Sequence, residues 1–160
     1  MIVSQLMSRN VLTCRPHDSL QDAAGKMWDE DIGCLPVLDA EGHVIGVVTD
    51  RDACMAAYTQ GRPLGAIQVE SAMARQVFSC LPTDRITDAE AIMKDRRVRR
   101  VPVIDETGHL EGLISMNDIA RESARGLQKK APDVPAREFV STLASICEPR
   151  QAGAISVAAQ

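Results

Sequence analysis

The sequence predicts an α+β fold: two like β-α-β-β-α units packed about a pseudo-twofold axis, followed by a short helical extension. Three observations carry this. First, residues 3–57 lie on residues 69–123 after a gapless shift of 66 positions. Val3, Met7, Arg9, Val11, Cys14, Pro16, Asp18, Asp22, Ala23, Met27, Asp29, Pro36, Val37, Asp39, Gly42, His43, Gly46 and Asp52 each meet an identical residue. Second, the apolar pattern repeats with them: Leu20 falls over Ile86, Leu38 over Ile104, and Val47-Val48 over Leu113-Ile114. Third, a unit of about 60 residues is marginal alone, so two gain stability by packing together.

Each element of the unit has a local reason. Val11–Cys14 is a short extended piece, broken by Arg15-Pro16 because proline disfavours helix in the residue before it. Asp18-Ser19 supplies a helix N-cap, and Leu20, Ala23, Ala24 and Met27 follow at helical spacing. The helix is expected to fade near Asp31–Gly33. Cys34–Asp39 then reads as a strand whose proline suits an edge or a start. Residues 40–43 make a turn, Val44–Val48 the partner strand, and Thr49-Asp50 opens a second helix. The second copy follows the same order: Val77–Cys80, a helix from about Ile86 to Arg96, strands Val101–Asp105 and Leu110–Ile114, and a helix from Asn117. The units are bounded at residues 1–61 and 62–125, with Thr59–Gly65 as linker. Residues 126–160 form the extension. In it Phe139, Val140, Leu143, Ile146 and Cys147 make an apolar stripe on a short helix ended by Pro149, which either docks on the chain's own core or joins a partner. The Gln151–Gln160 stretch of small residues is expected to be poorly ordered.

Bulk properties exclude several classes. The chain of 160 residues has a net charge of -4 and a pI near 5.4, which argues against nucleic acid as a partner. Trp28, Tyr58, Phe78 and Phe139 are the only aromatics, too few for a base-stacking platform. Five cysteines without a CxxC pair are poor zinc spacing and a poor disulfide framework, so no metal site is expected. No apolar run approaches a membrane span and the start lacks a signal pattern; the expectation is a soluble, cytoplasmic protein.

The string Gly46-Val47-Val48-Thr49-Asp50-Arg51-Asp52, preceded by Leu35–Asp39 and a glycine turn, resembles the cystathionine-β-synthase (CBS) domain. Its copy, Gly112–Asp118 after Val101–Asp105, matches equally well. Met7–Val11 and Met73–Val77 also look like the family's opening to each repeat. The resemblance covers residues 3 to about 123. A tandem pair of this kind, a Bateman module, implies a regulatory domain that senses AMP, ADP, ATP or S-adenosylmethionine in clefts between the repeats and often forms homodimers. No catalytic domain accompanies it here, so the chain looks like a stand-alone module acting on a separate, unidentified partner.

Carried over residue by residue, the resemblance implies two clefts. The first joins Thr49 and Asp52 to Val77, Ser79, Cys80, Arg99, Arg100 and Val101. The second joins Ser115 and Asp118 to Val11, Thr13, Cys14, Ile32, Gly33 and Leu35. The chemistry is reasonable: a carboxylate at a helix start accepts both ribose hydroxyls, while the Ser/Thr hydroxyl and free helix N–H groups suit phosphate oxygens. Arg99 and Arg100 face Gly33 and Cys34 in the alignment, so the first cleft is the better anion site.

Plainer roles stand beside these. Asp52 and Asp118 also suit simple helix capping. Lys94, Arg96 and Arg97 read as a solvated helix end. His43 and His109 read as solvent-facing turn residues, Cys14 and Cys80 as buried packing, and Met7, Met27, Met73 and Met93 as core. Trp28 is expected to be partly exposed and to contribute to a dimer face. The leading function is therefore an adenosine-ligand sensor, and the alternative is a structural dimerisation module with non-functional clefts. An enzyme is not expected, since no nucleophile–base pair, metal set or glycine-rich phosphate loop appears.

Overall fold

A computed structural model describes residues 1–127 and 133–148. The expectations placed on Pro149 and Gln151–Gln160 lie outside the described residues. In chain order the elements are α1 (Leu20–Asp29), β1 (Cys34–Leu38), β2 (Val44–Thr49), α2 (Asp50–Gln60), α3 (Ile86–Arg96), β3 (Arg100–Ile104), β4 (Leu110–Ser115), α4 (Met116–Gly126) and α5 (Ala136–Cys147). The α+β architecture of two β-α-β-β-α repeats with a C-terminal helix is thus present. No helix among the described residues is long and apolar enough to cross a membrane.

The duplication persists into fine detail. β1 pairs antiparallel with β2 and β3 with β4, and the register slips at the same place in each, Val37/Leu38 and Val103/Ile104. The opening extended piece of each repeat lies parallel to its first strand, through Cys14 beside Val37 and Cys80 beside Val103. Ser19 caps α1 by accepting from the Asp22 N–H. Thr49 and Ser115 cap α2 and α4 in reciprocal boxes with Asp52 and Asp118.

Two hydrophobic cores result, one per repeat, and each borrows from beyond its own run of strands and helices. Val3 and Met7 pack with Ile86, Met93, Val101 and Ile114 of the second repeat. Ile67, Val69 and Met73 pack with Leu20, Met27, Leu35 and Val48 of the first. The leading segments have thus crossed over: Ser8 bridges to Leu113, and Ala74 to Val47. Gly112 and Gly46 make the crossing possible. A Cβ on Gly112 would lie 2.7 Å from Met7 Sδ, and one on Gly46 would lie 2.7 Å from Met73 Sδ. The methionines occupy the space a side chain would need.

α5 docks on α3 and α4 of the chain's own second repeat. Its buried face is Thr142 and Ile146, with Phe139 packed against the core; Val140 is 60 % exposed and Leu143 38 %. The apolar stripe expected from the sequence is therefore rotated, because a helix surface drawn from spacing alone does not say which edge of a wide stripe meets its neighbour. His43 and His109 also depart from expectation. They are half-buried, with ring centroids 4.4 Å apart, because the two hairpin tips meet at the pseudo-twofold axis and bridge each other there.

Candidate functional site

The seam between the repeats gathers charged groups at one helix start. The peptide N–H of Asp50, the first residue of α2, donates to the Gly33 carbonyl at 3.4 Å, which brings the residue just before β1 against the start of the helix. A Cβ on Gly33 would sit 3.1 Å from Asp50 Oδ2 and 3.6 Å from Nη2 of Arg100, which comes from the second repeat. Arg100, Asp50 and Asp52 all act electrostatically on the buried thiol of Cys34. Burial raises its pKa most, Arg100 lowers it and the two aspartates raise it again. One guanidinium from β3 and two carboxylates from α2 thus converge across the seam.

Thr49 and Asp52 set the geometry of that helix start. Asp52 Oδ2 accepts from the Thr49 N–H at 2.9 Å and from its hydroxyl at 2.7 Å, while the Asp52 N–H donates to Thr49 Oγ1 at 3.2 Å. The Arg51 N–H donates to Asp50 Oδ1 at 2.7 Å. The first three amides of α2 are therefore already bonded. The free N–H groups expected there for phosphate are not on offer, because short polar side chains at a helix start take the local donors first. An anion at this seam must be met by guanidinium groups: Arg100, half-buried, and Arg99, exposed.

The remaining residues expected of the first cleft divide by burial. Val77 and Ser79 are half-buried on the extended piece beside β3. Val101 is fully buried and Cys80 nearly so, which puts their side chains in the core and leaves a ligand only their main chain. Burial, reinforced by Asp84 and Asp88, pushes the Cys80 thiol up to about 12; burial and Asp18 push Cys14 up to about 11. Both remain protonated thiols at neutral pH, suited to packing rather than nucleophilic or metal chemistry.

At the second cleft, Ser115 and Asp118 repeat the box, and Asp118 is 6 % exposed. Leu35 and Cys14 are core side chains like their counterparts, while Val11, Thr13 and Ile32 are half-buried. Lys26 reaches the Thr13 carbonyl at 3.0 Å. Gly33, expected beside Ser115 and Asp118, lies against Asp50 and Arg100, and a Cβ on it would crowd the Asp50 carboxylate. The basic run at the end of α3 is not simply solvated either. Arg96 stacks over Phe78 at 4.5 Å and Arg97 pairs with Glu148 at 3.4 Å. Sequence reasoning passed over Asp50; its replacement by buried Met116 in the second copy was the available signal.

Two other groupings belong to the scaffold. Asp39, Glu41 and His43 bring one ligand atom each within 4.8 Å of one another. Asp39, however, is committed to its hairpin: it accepts from the His43 N–H at 2.8 Å and lies 3.1 Å from His43 Nδ1. Desolvation pulls the Asp39 pKa up, but the His43 hydrogen bonds outweigh it and hold the carboxyl below its usual range. A cavity of about 480 Å³ lies between the linker and the first repeat, lined by His17, Gln60, Arg62 and Gln68 among others. It contains none of Thr49, Asp52, Arg100, Ser115 or Asp118, and it is an open dish rather than part of the seam.

Comparison with known proteins bears on the family and the fold. The family model described as the CBS domain matches residues 3–58 and 69–125. The CBS domain-containing protein YhcV of Bacillus subtilis (strain 168) is 31 % identical over 118 residues, covering 74 % of this chain and 82 % of its own. A CBS-domain-containing protein from Agrobacterium tumefaciens is 35 % identical, with a TM-score of 0.69 over 78 % of this chain and 99 % of that one. The CBS domain pair of protein MJ0100, in complex with 5′-methylthioadenosine and S-adenosyl-L-methionine, has a TM-score of 0.69 at 23 % identity, over 76 % of this chain and 94 % of its own.

Proposed function

This chain belongs to the CBS-domain family, and on that premise we propose that it is a regulatory module binding an adenosine-containing ligand in its first cleft. The observation that carries the reading is the convergence of Arg100 from one repeat with Thr49, Asp50 and Asp52 from the other. Asp52 has an oxygen left for the ribose hydroxyls, and Arg100 and Arg99 meet the anionic end of AMP, ADP or ATP, or the carboxylate of S-adenosylmethionine. The MJ0100 pair, itself in complex with 5′-methylthioadenosine and S-adenosyl-L-methionine, names the ligand class to titrate, while at 23 % identity the likeness carries the fold and not the site. Because both repeats line the cleft, a ligand there changes the free energy of their relative placement, and a partner that reads that placement is controlled. The matched region carries binding rather than catalytic chemistry.

A homodimer completes this reading. Trp28 is 86 % exposed and Tyr58 80 % exposed, large apolar surface for a module to leave in water. The same observation supports the rival reading, a dimerisation module with idle clefts. Calorimetric titration with AMP, ADP, ATP and S-adenosylmethionine separates the two. Binding that is lost in Asp52→Ala and weakened by about tenfold or more in Arg100→Ala is expected of the sensor. Folded protein that takes up none of the four belongs to the rival. Binding indifferent to Arg100→Ala but lost in Asp118→Ala moves the site to the second cleft.

A further inference from the structure

The two Ser/Thr-x-x-Asp turns are alike in sequence and backbone, yet their carboxylates differ in availability. Both use Oδ2 to accept from the capping residue's N–H and hydroxyl. The difference lies at Oδ1. Among the described residues no protein group donates to Asp52 Oδ1, and the side chain is half-buried. Asp118 Oδ1 takes the guanidinium of Arg121, three residues on and on the same helix face. With its side chain 7 % exposed and Oδ1 already facing a guanidinium, Asp118 does not present an open edge to a diol as Asp52 does. The residue of the first repeat at the place of Arg121 is Met55, which has no N–H to donate from its side chain.

The surroundings hold the arginine where it is. The second cleft has Cys34 where the first has Arg100, and buried Met116 where the first has Asp50. Neither draws a phosphate in to compete for Arg121, and neither offers that arginine a second carboxylate. Its side chain is 65 % exposed, so it meets Asp118 from the solvent side rather than forming part of the core.

We propose that Arg121 is a built-in plug of the second cleft, occupying the carboxylate that the first cleft keeps open, so that each chain binds one adenosine ligand and not two. The inference rests on the adenosine reading above and deepens it by assigning the stoichiometry to a single side chain. Exchanging the residues at 55 and 121 is expected to move the open carboxylate from the first cleft to the second, while Arg99 and Arg100 stay with the first.

The test is a count of sites per chain by calorimetry and equilibrium dialysis, with AMP and S-adenosylmethionine as probes, on the wild type, Arg121→Met and Met55→Arg. Both positions are exposed, and circular dichroism checks that each variant is folded. One site in the wild type, two in Arg121→Met, and loss of the first site in Met55→Arg are expected. Two sites in the wild type, or an unchanged count in Arg121→Met, overturn the plug while leaving the sensor reading intact. Weaker binding in Arg121→Met makes the arginine a ligand contact and equally overturns it. No uptake by any of the three proteins brings down the adenosine reading and this inference together.

Discussion

The two repeats differ most in what lies against their helices. The second wears α5, whose Thr142 and Ile146, like Glu90 of α3 and Glu122 of α4, are nearly removed from water. Among the described residues the first has no counterpart of α5: Ala24 stands where the second has Glu90, buried Ala56 where it has Glu122, and Trp28 and Tyr58 are exposed. Two copies of one fold have thus divided their outer faces: one is closed internally, the other is left open for contact. The seam shows the same division. The first cleft has an open carboxylate and a guanidinium, and the second has a carboxylate already paired. Duplication supplies a pair of equal sites, and single substitutions at matched positions make them unequal.

Breaking the covered face has the largest expected effect on stability. Ile146→Ala removes a buried branched side chain from the α5 contact and costs about 2–4 kcal/mol, measured by urea denaturation. Tyr58→Ala on the bare face changes stability by about 0.5 kcal/mol or less when measured on monomer. Equal losses from the two would erase the contrast. A second comparison uses the crossed-over segments. Gly112→Ala sets a Cβ 2.8 Å from the Ser8 carbonyl oxygen, whereas Gly46→Ala meets the Ala74 oxygen at 3.1 Å. Both also press on a methionine that can shift, so the backbone contact decides. Gly112→Ala is expected to cost about 1–3 kcal/mol and Gly46→Ala less, read from the shift in the thermal midpoint.

A third contrast is a pH dependence confined to the second repeat. Glu90 is 4 % exposed, and among the described residues its Oε1 has no hydrogen-bond partner. Burial first, then Glu138, raises its pKa from the ordinary 4.5, against a lowering hydrogen bond from Thr142. Raised in the folded state, the group binds its proton more tightly folded than unfolded. Its contribution to stability is therefore full below the unfolded value and declines as pH rises through the folded one. Glu90→Gln should stabilise the protein at pH 7 by about 1 kcal/mol, with the gain shrinking toward zero below pH 4.5. A gain that does not vary with pH between 4 and 8 would remove ionisation from the explanation. Glu90→Ala, which installs the residue of the first repeat, should follow the same trend less its packing loss.

Much of this was legible along the chain because local rules and the repeat agree. α3 spans Ile86–Arg96 as its apolar spacing requires, and Thr49 and Ser115 cap the helices their Ser/Thr-x-x-Asp turns announce. Met7, Met27, Met73 and Met93 are core. Less legible was anything that depends on which of two equivalent partners a segment meets. Val3 and Val69 were matched correctly as a pair, but alignment is silent on their exchange of cores. Arg96 and Arg97 looked solvated until Phe78 and Glu148, distant in sequence, came within reach.

The amino-acid sequence alone determined the repeat, its elements, their caps and the two Ser/Thr-x-x-Asp turns, since each follows from backbone sterics, side-chain periodicity and hydrogen bonds spanning a few residues. Tertiary structure alone decided which carboxylate stays open, which helical face is covered and which core each leading segment completes. Those outcomes turn on contacts between residues far apart in the chain, where the two halves offer nearly the same local chemistry and only packing distinguishes them.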